Sequence, residues 1–278
     1  MTPELRGKRT ALLQILSGIR RAVVAYSGGV DSTFLMAVAH EVLGADALAV
    51  TAVSPSLARR ELDAAIAIAL ERGWNHRTIG THEVSREEYA ANSGDRCYWC
   101  KTELFEVLGP IAAERRAEIL TGTNLDDLGD HRPGLKAAAE RDVRSPLVEA
   151  GLTKADVRLL SAALGLLTAD KPASPCLASR FAYGVRVTPE GLRRVEHAEE
   201  LVRSFGFEEF RVRDLGDSAR IEVLEADLER AIAVEAEMIS DVIRLGFSAV
   251  TLSRAGFRSG SLNTALIGAP RFGPDLPG

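Results

Sequence analysis

Three cysteines occur in the chain, and one of them has a context suited to chemistry. Cys176 lies in Lys171-Pro-Ala-Ser-Pro-Cys-Leu-Ala-Ser-Arg180, a polar, proline-punctuated stretch that fits neither a helix nor a strand interior. A thiol reacts as its thiolate, and cations nearby favour that form; Lys171 and Arg180, if folded close to it, would supply them. A structural cysteine more often sits inside an apolar run. The context therefore points to a nucleophilic thiol.

The second cluster is Ser27-Gly28-Gly29-Val30-Asp31-Ser32, directly after an apolar run. Ser27 and the two glycines let the backbone turn tightly and aim several N–H groups into one concavity. A helix beginning near Asp31 adds its positive end there, so the place suits phosphate or pyrophosphate. The simpler reading is a strand-to-helix turn capped by Asp31 or Ser32. Neither a Walker A loop nor G-x-G-x-x-G matches, and no lysine follows the turn.

Weaker signals accompany these. Ser54 follows a second apolar run, either where a nucleotide base is read by backbone groups or as the start of a Ser-Pro turn. Thr121-Gly122-Thr-Asn-Leu-Asp126-Asp127-Leu-Gly-Asp130 gathers carboxylates in a glycine-punctuated loop. Beside a triphosphate they suit Mg²⁺, which takes oxygen ligands; otherwise they are a solvated loop with a helix cap. Arg132, in the same stretch, suits a phosphate or an acid. Cys97-Tyr-Trp-Cys100 reads as half a zinc site, a redox pair or a structural pair. A four-ligand zinc site needs further ligands, which no second C-x-x-C supplies. Lys101 either reaches a phosphate or is a solvated helix-start lysine. Arg211 and Arg213 alternate with Phe210 and Val212, so both fall on one face of a strand, for bidentate recognition of phosphate or carboxylate or simply facing solvent. Glu199, Glu200 and Glu222 lie in the same region without a spacing signature.

The elements that must position these residues alternate. Helices are expected at 3–18, 32–43, 57–72 and 101–115, and strands at 22–26, 48–53, 75–80 and 118–121. This βαβα rhythm predicts an α/β fold with a parallel sheet covered on both faces. Ligands of such sheets sit at the carboxyl ends of the strands, where residues 27–32, 51–54 and 121–127 would lie. A further helix is expected at 152–166. Beyond it the pattern becomes helix 189–204, strands 208–213 and 219–224, helix 225–245 and strand 248–253, a smaller α+β domain. The expected organisation is a first domain over 1–170, a cysteine loop over 171–186, a small domain over 187–265 and a frayed tail over 266–278.

Composition narrows the function classes. The chain has 278 residues, 46% of them hydrophobic, enough for a proper core. Its net charge of −5 and lack of lysine-rich runs argue against avid nucleic-acid binding. No apolar run is long enough to span a membrane, and residues 1–21 lack a signal-peptide pattern, so a soluble cytoplasmic protein is expected.

The fragment Ser27–Ser32 resembles the PP-loop of the ATP pyrophosphatases, which split ATP between its α and β phosphates and use the adenylate to activate a substrate. Together with Arg96-Cys-Tyr-Trp-Cys-Lys101, Gly122-Thr-Asn-Leu-Asp-Asp127 and above all Ser174-Pro-Cys-Leu-Ala-Ser-Arg180, it makes roughly residues 10–265 resemble the LarE family of sacrificial sulfur transferases. The resemblance implies a PP-loop ATP pyrophosphatase domain, adenine nucleotide alpha hydrolase-like, followed by the smaller α+β domain. It implies ATP and Mg²⁺ as cofactors, a pyridinium-dicarboxylate mononucleotide as partner, and a homo-oligomer.

It also implies a reaction in the building of the nickel-pincer nucleotide of lactate racemase. A substrate carboxylate is adenylated, Cys176 takes the acyl group as a thioester, and Cβ–S cleavage leaves a thiocarboxylate on the substrate and dehydroalanine on the protein. Cys176, Lys101 and Arg180 are then catalytic. Ser27, Gly28, Gly29, Asp31, Ser32, Ser54, Gly122, Asp127 and Lys171 hold the nucleotide. Ser179, Arg180, Arg211 and Arg213 hold the substrate, and Asp31, Glu200 and Glu222 are candidates for metal. The alternatives are a relative that carries sulfur on an iron–sulfur cluster held by three cysteines, a tRNA-thiolating or amide-forming PP-loop enzyme, and a non-catalytic adenine-nucleotide sensor.

Overall fold

The computed structural model describes residues 1–129 and 133–257. Asp130, Arg132 and the tail over 266–278 lie outside the described residues. The chain divides into two compact units, one of residues 1–90 and 95–176 and the other of residues 91–94 and 177–278.

In the first unit, α1 (Pro3–Ser17), β1 (Ala22–Ala25), α2 (Val30–Leu43), β2 (Ala47–Val53), α3 (Arg59–Glu71) and β3 (Asn75–Gly80) alternate as expected. They are followed by α4 (Glu87–Ala90), α5 (Arg96–Arg115), β4 (Glu118–Leu120), α6 (Pro133–Ala139), α7 (Pro146–Glu149) and α8 (Lys154–Ala163). The four strands form a parallel sheet in the order β3-β2-β1-β4. Side chains alternate across it, and both faces are apolar. Val24, Ala47 and Ala49 join Leu12, Leu16, Phe34 and Leu35 of α1 and α2 in one core, while Val23, Leu48 and Val50 join Phe105 and Leu108 of α5 in another.

The second unit contains α9 (Pro189–Ser204), β5 (Phe210–Asp214), β6 (Ser218–Val223), α10 (Leu228–Ala233), α11 (Glu235–Ile243) and β7 (Ala249–Leu252). Its sheet has the order β5-β6-β7, antiparallel then parallel. Phe207, Phe210, Ile221, Met238 and Val242 fill its core.

Two expectations need correction, and three short helices were not expected. The helix expected at 101–115 begins at Arg96, so Cys97 and Cys100 lie in its first turns. Asp95 anchors this earlier start, accepting the Trp99 indole N–H at 3.0 Å on its carboxylate and the Tyr98 amide at 2.8 Å on its carbonyl. The helix expected at 225–245 is broken at Val234, whose φ of −110° leaves the helical region. The apolar pattern runs through the break because Ala231, Met238 and Val242 all enter one core. The short helices α4, α6 and α7 span too few residues to show a period in sequence.

Candidate active site

The turn at 27–32 is drawn tight by its own hydroxyls. Ser32 Oγ accepts the Ser27 amide at 3.2 Å, lies 3.1 Å from Ser27 Oγ and donates to the Gly29 carbonyl at 3.2 Å. Gly28 has φ +70°, and a Cβ there would come 2.7 Å from the Ala65 Cβ of α3. α2 begins at Val30 with Gly29 as its N-cap, and no side chain caps its first turn. The capped-turn reading through Asp31 or Ser32 is therefore not what forms. An uncapped 14-residue helix directed from a glycine turn has the polarity and open N–H groups that anions take.

Residues 121–127 close one side of this turn. A Cβ on Gly122 would lie 2.7 Å from the Ser32 nitrogen and 2.8 Å from the Asp31 carbonyl carbon. Buried Asn124 donates to Asp31 Oδ1 at 3.2 Å, and the Lys154 ammonium pairs with Asp31 Oδ2. Asp127 accepts the Asn124 amide at 3.0 Å, and Asp126 accepts the Lys154 amide at 2.8 Å at the start of α8. These two carboxylates brace the loop. Asp31 is the carboxylate at the turn itself, and an oxygen donor at a phosphate site fits Mg²⁺, which takes one or two carboxylates and keeps waters or phosphate oxygens for the rest. Among the described residues, no three His, Cys, Asp or Glu side chains are grouped to hold a metal by themselves.

The cysteine segment meets the same turn. Lys171 Nζ donates to the Gly28 carbonyl at 3.0 Å and pairs with Glu61 Oε2 at 2.8 Å. Cys176 is exposed, and none of the three cysteines is in a disulfide. Burial and then the neighbouring Cys176 push the Cys100 thiol up to about 12, with Cys97 adding to the effect and Lys101 opposing it. Lys101 is exposed, its stem packed where a Cβ on Gly134 would lie 2.8 Å from its Cγ. Buried Tyr89 feels both Cys176 and Cys100, and its hydroxyl ionises far above the ordinary range, chiefly through burial. Ser54 donates to buried Glu83, which also accepts from Ser56 Oγ at 3.0 Å, so Ser54 shapes the turn after β2.

In the second unit, Arg180 and Glu199 form a buried bidentate pair at 2.8 and 2.9 Å. Arg213 pairs with Glu222 at 2.9 Å and donates to the Ser179 carbonyl at 3.1 Å, while Arg180 donates to Ser179 Oγ at 3.0 Å. Arg220 shares Glu222 at 3.1 Å, so this carboxylate stands between two guanidiniums. Glu200 is exposed on α9. Arg211 stacks 4.8 Å from the Phe257 ring, and burial, with Arg180 and Arg213 nearby, lowers its guanidinium to about 10. It still carries its charge at neutral pH. Arg180, Arg211 and Arg213 thus lie close together in this unit, a grouping suited to an anionic ligand.

No protein-family model matches the chain. Over 267 residues it is 39% identical to pyridinium-3,5-bisthiocarboxylic acid mononucleotide synthase of Lactiplantibacillus plantarum, covering 95% of this chain and 97% of that protein. The chain belongs to the LarE family. It is also 44% identical over 265 residues to an uncharacterized protein of Synechocystis sp., covering 94% of this chain and 99% of that one. A match at 30% identity over 241 residues, to an uncharacterized protein of Methanocaldococcus jannaschii, covers 86% and 92%.

In this LarE-family chain, sequence reasoning passed over Glu61, Glu83, Tyr89, Asn124 and Lys154. Each carries a signal that reads as ordinary in sequence: a first-turn helix acid, a loop acid, a core tyrosine, a loop amide and a helix-start lysine. Their importance comes from partners far along the chain.

Proposed function

We propose that this chain is an ATP-dependent sulfur transferase acting on a pyridinium-dicarboxylate mononucleotide in nickel-pincer cofactor biosynthesis. The observation that carries the reading is the Lys171 hydrogen bond to the Gly28 carbonyl, which ties the Cys176 segment to the anion-binding turn. The first unit is read as an adenine nucleotide alpha hydrolase-like domain and the second as a smaller α+β domain, in a cytoplasmic homo-oligomer that engages neither nucleic acid nor membrane. Among the described residues no helix is long and apolar enough to cross a membrane.

Ser27, Gly28, Gly29, Ser32 and Gly122 form the cradle for the phosphates. Bound Mg²⁺ at Asp31 would offset triphosphate charge, and Lys101 and Lys171 would stabilise charge that develops as pyrophosphate leaves. The substrate carboxylate attacks the α-phosphorus, giving an acyl-adenylate and pyrophosphate. The Cys176 thiolate attacks the acyl carbon and AMP departs. Removal of the Cys176 Cα proton then expels the sulfur with the acyl group, leaving a thiocarboxylate and dehydroalanine. Arg211, with Arg180, Arg213 and Ser179, would hold the substrate's anionic groups.

A second reading is favoured by one observation: Cys100 lies near enough to both Cys97 and Cys176 to feel each of them. Three thiolates suit an iron–sulfur cluster, which would supply a sulfide in place of the cysteine's own sulfur. They do not already stand in a metal-holding group, so the sacrificial thiol is our first reading. Incubation with ATP, Mg²⁺ and the dicarboxylated mononucleotide tests it. The wild type should release pyrophosphate and form thiocarboxylate, and Cys176→Ala should release pyrophosphate without sulfur transfer. Thiocarboxylate formation by Cys176→Ala would overturn it.

A further inference from the structure

Glu61 sits in the first turn of α3 and is 8% exposed. Its carboxylate pairs with Lys171 at 2.8 Å and hydrogen-bonds with Ser174, so it grips the cysteine segment at two residues. The same Lys171 ammonium donates to the Gly28 carbonyl at 3.0 Å. Four residues further along α3, Ala65 presses on Gly28. Residues four apart share a helix face. One face of α3 therefore carries both the floor of the anion-binding turn and the anchor of the segment that bears the nucleophile.

The charge arrangement is what makes this more than packing. A carboxylate at the edge of a turn built for phosphates is repelled by the ligand that the turn binds. Burial pushes the Glu61 carboxyl up, but Lys171, Ser174 and Arg60 pull it further down, below its ordinary value, so it is ionised at neutral pH. Lys171 satisfies it only while no triphosphate competes for the same ammonium.

We propose that Glu61 is a positioning residue that couples nucleotide occupancy to the Cys176 segment. Without nucleotide, Glu61 holds Lys171 and Ser174, and with them the thiol's segment, against the turn. An arriving triphosphate draws Lys171 to itself, weakens the grip of Glu61 and frees Cys176 to approach the adenylate. The thiol is thus released for acyl transfer only once ATP is in place.

The inference rests on the ATP reading above, and the test separates the two. Calorimetric titration with α,β-methylene-ATP and Mg²⁺ should show Glu61→Gln binding about fivefold more tightly than wild type, a typical size for coupling between two sites. Lys171→Met should bind more weakly, and adding Glu61→Gln to it should bring no gain. In single-turnover assays Glu61→Gln should form thiocarboxylate with its half-maximal rate at a lower ATP concentration than wild type, and its Cys176 should alkylate as fast without the analogue as with it, a pattern that loss of structure would not produce. Independently of any variant, alkylation of Cys176 in the wild type, followed by peptide mapping, should quicken about fivefold when the analogue is added. The proposal fails if Glu61→Gln binds the analogue no more tightly, or if the wild-type thiol reacts equally fast with and without it. A wild-type chain that binds no nucleotide overturns the ATP reading, and this proposal with it.

Discussion

A Cβ placed on Gly122 would lie 2.7 Å from the backbone nitrogen of Ser32, so the loop after β4 is seated directly on the start of α2. No side chain fits there without moving one of the two. Gly122→Ala should destabilise the first unit by about 1–3 kcal/mol, the usual range for forced overpacking, and weaken ATP binding. Denaturant titration together with nucleotide calorimetry measures both. Unchanged stability and affinity would contradict the close packing.

Asp31 is the carboxylate at the turn, paired with Lys154 and Asn124. Asp31→Asn keeps the shape and removes the charge. Its ATP affinity should fall markedly with Mg²⁺ present and far less in EDTA, because the charge that favours the cation is gone while the backbone cradle remains. An equal loss under both conditions would show that Asp31 serves the fold rather than the ion.

The Arg213–Glu222 pair is buried, with side chains 6% and 7% exposed. Taking away one partner of such a pair costs about 3–5 kcal/mol, because the other charge is left without its partner. Glu222→Ala should lose that much in urea unfolding. Glu200→Ala, on the exposed face of α9, should stay within about 0.5 kcal/mol. A small effect of Glu222→Ala would mean that its carboxylate is not what holds Arg213 and Arg220.

The Cys100 thiol is pushed from 9.0 to about 12, first by burial and then by Cys176. In the unfolded chain it ionises near the lower value and in the folded chain near the higher. Its contribution to stability is therefore complete below pH 9 and lost as pH rises toward about 12. Cys100→Ala should flatten that alkaline fall in melting temperature. At pH 8, iodoacetamide should label exposed Cys97 well before Cys100. Equal labelling rates would contradict the environment assigned to Cys100.

The centre of the sheet was legible because β1 and β2 are short apolar runs, and the helix ends at Gly44 and Gly73 are punctuated by glycines with φ of +55° and +63°. The turn at 27–32 was legible for the same reason, since glycines and small hydroxyls have few other uses there. What sequence could not give is pairing. Arg211 and Arg213 share a strand face by period, yet register sets Arg213 opposite Arg220 and Arg211 opposite Glu222. Two arginines directly opposed would repel, and Glu222, diagonal to Arg213, accepts from both at 2.9 and 3.1 Å. Glu61 was hidden for a similar reason. A first-turn acid suits the helix dipole wherever it points, and only the fold brings Lys171 to it.

The central claim is that Cys176 gives up its own sulfur. The direct test is the mass of the protein after turnover with ATP, Mg²⁺ and the dicarboxylated mononucleotide, with peptide mapping across Lys171–Arg180. The account predicts loss of the elements of H₂S at Cys176, with thiocarboxylate formed in equal amount to the modified chain. An intact Cys176 in protein that has made thiocarboxylate would contradict it, and iron and sulfide recovered with that protein would identify the cluster as the sulfur source.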